Sequence, residues 1–162
     1  MMDAHLQRLT DEIEINRLIA AYSHAVMRLD AVGSAAVYTE DGVLSAFSAP
    51  DVIGRQKIER ILGKVYAPLR FLLQNCGSVV VHVEGDTARV SSSVAEFVQY
   101  KDKDPLSCCF GNYDDKLIRT SEGWRFTRRR FSPFFSGTLQ SDGTPFAPSE
   151  TPHLYAPYPP VL

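Results

Sequence analysis

The hydrophobic positions between Thr10 and Leu29 recur every three or four residues, which is the pattern of one face of an amphipathic helix. Thr10 stands where a residue can cap this helix, and Asp11 and Glu12 suit the positive end of the helix dipole. The sequence therefore predicts a helix from Thr10 to Leu29. Its apolar face consists of Ile13, Ile15, Leu18, Ile19, Tyr22, Ala25, Val26 and Leu29.

Two shorter helices follow in the pattern. Asp30 is placed to cap a helix that reaches residues 37–38, and Gly54 precedes a third helix over residues 55–65. Between these helices, residues 40–42 read as a polar turn and residues 43–47 as a short strand. The N-terminal part of the chain is thus predicted to be mainly helical.

The period of the pattern changes after Pro68. Residues 71–83 form a long predicted strand, and Cys76-Gly77-Ser78 interrupts it as a bulge or bend would. Residues 87–100 and 106–120 predict two further strands, and the segment that ends near Arg130 completes a hairpin. Helices followed by an antiparallel meander indicate the α+β class.

The last 26 residues differ from the rest, because six of the ten prolines fall there. Proline excludes both helix and central strand, so we divide the chain into an α+β domain over residues 1–136 and an extended arm over residues 137–162. Interleaved aromatic residues favour an arm that packs on the domain or on a partner subunit. A disordered tail is the alternative.

Composition limits the functions that the chain can have. A net charge of −2 in 162 residues provides no basic field, so we expect neither nucleic acid nor membrane as a partner. Three cysteines in no framework spacing predict reduced thiols in a cytoplasmic protein. The four histidines lack metal-binding spacing, and no nucleotide-binding loop occurs. We therefore expect no metal and no cofactor.

Several short segments together resemble one known family. They are INRLIAAY at residues 15–22, YTEDGV at 38–43, GR at 54–55, VEGDTA at 83–88 and the hairpin from Tyr113 to Trp124. In this order they resemble the SnoaL-like family of the nuclear transport factor 2-like superfamily. The resemblance implies a cone-shaped α+β barrel, in which a strongly curved antiparallel or mixed sheet wraps around N-terminal helices and encloses a pocket. It also implies proton-transfer chemistry without a cofactor.

The chain departs from that family at two positions. Where dehydratases and dehydrochlorinases of this kind have an Asp on the first helix and a His on the long strand, this chain has Met27 and Gln74. Neither a thioether nor an amide can act as a general base near neutral pH. Other residues must then replace the dyad if the protein is an enzyme.

His24 and Glu96 are the candidates for proton transfer, with Tyr22 and Tyr113 as hydroxyl donors. His24 lies near Met27 on the first helix, and an imidazole titrates near neutral pH; the alternative is a helix-edge histidine bonded to a carbonyl or water. Glu96 alternates with apolar residues, so burial would raise its pKa. In the other register, Glu96 turns outward and pairs with an arginine.

The remaining candidates would bind the substrate or support the sheet. Asp115 is expected to form a cross-strand ion pair with an arginine of the last strand, while Arg130 holds an enolate or carboxylate. The predicted substrate-binding residues are Met27, Phe71, Leu73, Gln74, Val94, Phe97, Phe110 and Arg130.

Three functions remain open at this point. The first is a cofactor-independent lyase or isomerase, similar to a dehydratase or cyclase, acting on a hydrophobic cyclic small molecule. The second is a non-catalytic binding or assembly module in which the family dyad has been replaced, and the third is a β-subunit similar to that of a dioxygenase. Apolar residues on both faces of the later strands also predict a homodimer or a higher homo-oligomer.

Overall fold

The computed structural model describes residues 4–46, 49–102 and 105–139. Three helices are present in this part of the chain: α1 (Ala4–Met27), α2 (Ala31–Ala36) and α3 (Arg55–Tyr66). The six strands are β1 (Tyr38–Ala46), β2 (Val52–Ile53), β3 (Leu69–Glu84), β4 (Thr87–Tyr100), β5 (Leu106–Thr120) and β6 (Gly123–Leu139). They form one curved, open sheet in the order β2-β1-β6-β5-β4-β3, which confirms the α+β prediction.

The sheet is mixed because of a single strand pair. β1 runs parallel to β6, and the four other neighbouring pairs are antiparallel. The helices pack against one face, which we call the inner face, and the hydrophobic core lies between them. The opposite face of the sheet is called the outer face below.

Two predicted caps have different outcomes. Asp30 caps α2, since its carboxylate accepts a hydrogen bond of 2.8 Å from the backbone N–H of Gly33. Thr10 does not begin α1; the helix already starts at Ala4, and the Thr10 hydroxyl donates to the carbonyl of Leu6 at 2.9 Å. α3 follows Gly54 as predicted, and the φ of 100° at Gly54 is a conformation that glycine adopts without steric cost.

Strand β1 is longer than its sequence pattern indicates. Residues 40–42, predicted as a turn, belong to β1, and the pairing of β1 with β6 is irregular between Tyr38 and Val43. The two-residue strand β2 was not predicted, because a strand of this length has no detectable period.

Irregularities in the sheet decide which side chains point inward. β3 shifts register between Gly77 and Val80, as the interruption in its sequence predicted. In β6, Phe126 pairs with Leu117 and Arg128 with Lys116, so Thr127 is an extra, bulged residue. A bulge of one residue exchanges the two faces of a strand beyond it.

An ion pair between a buried carboxylate and a partly exposed arginine ties α1 to the β5–β6 hairpin. The Asp11 carboxylate accepts two hydrogen bonds from Arg119, at 2.5 and 2.8 Å, although Asp11 is only 2% exposed. The indole N–H of Trp124 also donates to Asp11 at 3.4 Å, and the guanidinium of Arg119 lies 4.6 Å from the centre of the Trp124 ring. These contacts fix the first turns of α1 above the sheet.

Aromatic side chains remain exposed on the outer face. The rings of Phe97, Phe110 and Phe135 form a continuous strip across β4, β5 and β6, with centroid separations of 5.9 and 5.7 Å. Leu73 on β3 extends this strip, because it is the cross-strand partner of Phe97 and is exposed. We call these four residues the outer apolar strip.

The predicted boundary at residue 136 falls inside β6, which continues to Leu139. The remainder of the predicted arm, residues 140–162, lies outside the described residues. Within the described part of the chain, no helix has the length and hydropathy needed to cross a membrane.

Candidate functional site

A cavity of about 500 Å³ lies between the inner face of the sheet and the helices. Strands β3, β4 and β5 bring Gln74, Glu96 and Tyr113 to its wall, and α1 contributes Tyr22. The rest of the described lining is largely apolar and includes Val26, Leu44, Val52, Leu62, Val65, Leu69, Leu72, Val98 and Phe131. An apolar cavity with a few converging polar groups is the usual form of a small-molecule site.

Gln74 is the centre of the polar cluster. Its Nε2 donates to Oε1 of Glu96 at 2.7 Å and to the hydroxyl of Tyr113 at 3.1 Å, and its side chain is almost fully buried. An ionised carboxylate can only accept hydrogen bonds, so the amide must turn its nitrogen towards Glu96. The Tyr113 oxygen then accepts from Gln74, which leaves the phenolic hydrogen available to a ligand.

A second set of contacts holds the other end of the Gln74 amide. The Cys76 thiol lies 3.8 Å from Oε1 of Gln74 and donates to it, and Cys76 in turn accepts from the Ser23 hydroxyl at 3.2 Å. Burial raises the pKa of the Cys76 thiol, so the sulfur keeps its proton and remains a donor. Ser23, Cys76 and Gln74 thus form a directed chain that ends at Glu96 and Tyr113.

Burial controls the protonation of the site. Desolvation raises the pKa of Glu96, although the hydrogen bond from Gln74 and the charge of Arg129 both oppose this shift. Desolvation also raises the pKa of Tyr22 and of Tyr113, so both phenols stay neutral and can donate. The cavity therefore contains a carboxyl group of increased basicity beside a neutral hydroxyl donor.

A fully buried ion pair lies beneath two of the cavity residues. Arg129 donates to both oxygens of Asp115, at 3.0 and 2.8 Å, and neither side chain is exposed. The guanidinium carbon of Arg129 lies 4.0 Å from the ring centre of Tyr113, 4.4 Å from that of Tyr22 and 4.3 Å from that of Phe126. Burial opposes the charge of Arg129, but the facing carboxylate outweighs burial and raises the pKa of the guanidinium.

The pairing of Asp115 confirms one prediction, whereas the position of Arg130 differs from another. Asp115 does pair with an arginine of the last strand, as the sequence predicted, and the arginine is Arg129. Arg130, predicted to hold an enolate, lies on the outer face in a depression shared with Asp114, Lys116 and Arg128. The bulge at Thr127 causes the difference, since strict alternation from Phe126 would have turned Arg128 and Arg130 inward.

His24 and Met27 do not reach the cavity. They line a separate depression of about 320 Å³ together with Asn16, Ser23 and Cys76. Tyr22 and His24 are two residues apart on α1, which places them roughly 200° apart around the helix axis. A helix that directs Tyr22 into the cavity must therefore direct His24 away from it. Gln74 lines both spaces and separates them.

The other predicted lining residues also lie elsewhere. Phe71, Leu73 and Phe97 alternate with the inward-facing Leu72, Gln74 and Glu96, so they belong to the outer face, as does Phe110. Val94 faces inward but is buried in the core and is not among the described lining residues. Of the predicted substrate-binding residues, only Gln74 lines the cavity.

Sequence reasoning missed several residues of the site. Arg129 was not singled out among the arginines of the last strand, because the bulge at Thr127 that turns it inward has no clear signature in the sequence. Ser23 and Cys76 were missed because their contact joins positions 53 residues apart along the chain. The alternation of β3 could have revealed Cys76, since it places Cys76 and Gln74 on one face.

Comparisons with known proteins agree with this architecture. The model of the SnoaL-like domain matches residues 7–130. An uncharacterized protein of Mycobacterium tuberculosis is 33% identical over 127 residues, which are 75% of this chain and 84% of the relative.

Two solved structures illustrate the shared fold. A protein from Novosphingobium aromaticivorans, provisionally named a scytalone dehydratase, aligns with a TM-score of 0.76 and 21% identity, over 83% of this chain and 91% of that one. A hexachlorocyclohexane dehydrochlorinase aligns with a TM-score of 0.78 and 16% identity, over 90% of this chain and 98% of that one. With the family match over residues 7–130, the chain belongs to the SnoaL-like family.

Proposed function

We propose that the protein is a cofactor-independent lyase or isomerase that moves a proton on a hydrophobic carbonyl compound bound in the cavity. The observation that carries this proposal is the position of Glu96. Its carboxyl group is in the cavity wall, its pKa is raised by burial, and Gln74 links it to the hydroxyl of Tyr113. A carboxylate of increased basicity next to a neutral donor suits proton abstraction beside a carbonyl group.

The first step follows from the hydrogen-bond directions. The Glu96 carboxylate takes a proton from the carbon next to the carbonyl. The electron pair of that C–H bond forms the C=C bond of an enolate, and the π pair of the C=O bond moves to the oxygen. Tyr113 donates its hydrogen to this oxygen as negative charge develops there. Gln74 keeps both groups in place, because its two N–H bonds reach Glu96 and Tyr113 at once.

The enolate can react further in two ways. In an isomerisation, protonated Glu96 returns the proton to a different carbon of the same molecule. In an elimination, the electron pair expels a leaving group from the β-carbon, and the proton on Glu96 can accompany that group. The names of the two similar structures, a dehydratase and a dehydrochlorinase, both denote eliminations, which supports the second outcome.

His24 has no part in this proposal. It lines the depression behind Gln74, whereas the substrate would bind on the other side of Gln74, beside Glu96. Glu96 therefore has to act both as the base and, after protonation, as the acid. One carboxyl group can perform both steps when a raised pKa brings the two protonation states close in energy.

Deuterium incorporation tests the proposal without knowledge of the natural substrate. The probe is 2-tetralone, a neutral bicyclic ketone with acidic hydrogens beside its carbonyl group, incubated with the protein in D₂O. We expect the protein to accelerate exchange at this carbon, and Glu96→Gln to reduce the acceleration by about 10²- to 10⁴-fold. Mass spectrometry of the recovered ketone measures the incorporation.

Asp114→Asn is the matched control, because it also removes one carboxylate but lies on the outer face. We expect this variant to exchange at the wild-type rate. Equal rates for the wild type and Glu96→Gln would contradict the assignment of Glu96.

A non-catalytic binding module is the second candidate. The observation that favours it is Gln74, which does not titrate and which occupies the position where the family resemblance implies a histidine. Binding of 2-tetralone without any accelerated exchange would support this candidate against the first.

A further inference from the structure

The described lining of the cavity contains one carboxyl group, that of Glu96. No lysine, arginine or histidine is among the described lining residues, and the remaining titratable groups there are phenols and thiols. A ligand with a carboxylate would therefore enter next to Glu96, with no cation among the described lining residues to receive it.

Arg129 is the cation beneath the cavity wall, but its charge is already compensated. Asp115 accepts two hydrogen bonds from it, and the rings of Tyr22 and Tyr113 cover the guanidinium and belong to the cavity lining. Its remaining nitrogen, Nη1, has no hydrogen-bond partner among the described residues, although it is fully buried. The aromatic rings compensate in part for this missing hydrogen bond through cation–π contacts with the guanidinium.

The cost of desolvation makes this cavity favour an uncharged ligand over an anion. A carboxylate that leaves water for an apolar cavity loses its hydration, and that loss is recovered only if a cation or several donors replace the water. Here the ion pair offers no net charge, and Glu96 repels a second anion. A ketone, aldehyde or ester of the same shape loses much less hydration and accepts the hydrogen of Tyr113.

We propose that the cavity selects uncharged carbonyl compounds over carboxylates of the same shape, and that Asp115 sets this selectivity by neutralising Arg129. The proposal rests on the proposed function in one respect, since it assigns the ligand to the same cavity. It goes further in defining the charge of the ligand and in giving a role to the buried Asp115–Arg129 pair.

A matched pair of probes tests the selectivity. 2-Acetylnaphthalene and 2-naphthoate have the same ring system and nearly the same shape, but only the second is an anion. Each probe competes with N-phenyl-1-naphthylamine, a neutral dye that becomes fluorescent in apolar cavities, in mildly alkaline buffer. We expect 2-naphthoate to require a concentration about tenfold higher or more for the same displacement.

Variants assign the selectivity to residues. The gap is the ratio of the concentrations of 2-naphthoate and 2-acetylnaphthalene that displace the same amount of dye. In Glu96→Gln the repulsion of the anion is removed, and we expect this gap to narrow. In Asp115→Asn the charge of Arg129 is no longer balanced, so 2-naphthoate is expected to gain affinity while the ketone changes little. Asp114→Asn removes the same charge from the neighbouring position on the outer face, and its gap should equal that of the wild type.

Equal displacement by both probes in the wild type would overturn the proposal. An unchanged gap in both Glu96→Gln and a folded Asp115→Asn would also overturn it. If Asp115→Asn does not fold, as judged by circular dichroism, the wild type and Glu96→Gln decide the result. Failure of the proposed function can be told apart from failure of this proposal. In that case 2-acetylnaphthalene would still displace the dye at a lower concentration than 2-naphthoate, while 2-tetralone showed no accelerated exchange.

Discussion

Gln74 and Glu96 face each other on neighbouring strands, and the amide nitrogen of Gln74 lies 2.7 Å from a carboxyl oxygen of Glu96. The neighbour of Glu96 in this contact is thus a neutral amide donor and not a group that titrates. An amide hydrogen bond stabilises the ionised carboxylate, but it cannot exchange a proton with it. Glu96 is therefore the group whose protonation changes in this cluster, and Gln74 adjusts how readily it changes.

Replacement of Gln74 by leucine is expected to raise the pKa of Glu96 further. The substitution removes a hydrogen bond that favours the charged form, while desolvation by burial remains. The pKa is measured from the ¹³C chemical shift of the Glu96 carboxyl group during a pH titration. Asn75→Leu, on the outer face of the same strand, is the control and should leave the titration unchanged; a lowered pKa in Gln74→Leu would contradict the argument.

Separation of the Asp115–Arg129 pair is expected to destabilise the fold strongly. Arg129→Met leaves a buried carboxylate without its partner, which typically costs about 3–5 kcal/mol. Urea denaturation measures the loss, and Arg130→Met on the outer face should stay within about 0.5 kcal/mol of the wild type.

The double variant Asp115→Leu/Arg129→Met should lose less stability than the sum of the two single variants, because no unpaired charge remains. Strict additivity of the two single losses would show that the pair does not act as a unit.

The contact between Asp11 and Arg119 predicts a pH-dependent part of the stability. Hydrogen bonds from Arg119 lower the pKa of Asp11 below its usual value, in spite of burial. An unfolded Asp titrates near about 3.9, so this stabilisation is complete above that pH and is lost as the pH falls through the lowered pKa of the folded state. The unfolding free energies of the wild type and Asp11→Asn should therefore differ most near neutral pH.

Measurements of unfolding at several pH values test this sign. The difference between the two proteins is expected to shrink as the solution is acidified below about pH 4. A difference that grows on acidification would mean that the ion pair is not the main contribution of Asp11. Asp86→Asn provides a comparison, because Asp86 also bonds to Arg119 but is exposed, so a smaller effect is expected.

We propose a homodimer through the outer apolar strip. Phe97, Phe110 and Phe135 form a continuous aromatic surface that crosses three strands, and Phe110 and Phe135 remain exposed in the single chain. A second copy that covers this surface would remove a contiguous apolar patch from water. Light scattering should give twice the monomer mass, and Phe110→Lys should reduce it to that of one chain.

The control for this experiment is Val80→Lys, since Val80 is exposed on β3 but is not part of the strip. It should leave the mass unchanged. A wild-type protein that remains monomeric at micromolar concentration would contradict the proposal.

Local patterns in the sequence were sufficient for most elements of the fold. The apolar spacing of α3, the cap at Asp30 and the alternation of β4 and β5 depend on neighbouring residues alone, so they could be predicted without the rest of the chain. The same alternation set Glu96 among apolar residues, although it left the inward and outward registers of this residue open. These features are local because helix and strand geometry repeats over a few residues.

The composition of the site was decided by the tertiary structure. The bulge at Thr127 turns Arg129 inward and Arg130 outward, and the rotation of α1 directs Tyr22 into the cavity and His24 away from it. Neither is visible in the chain alone, because a bulge is set by the pairing of two strands and a helix rotation by the surface on which the helix packs. Sequence determined which residue types could transfer a proton, and packing between distant segments determined that Glu96, Gln74 and Tyr113 meet in one cavity.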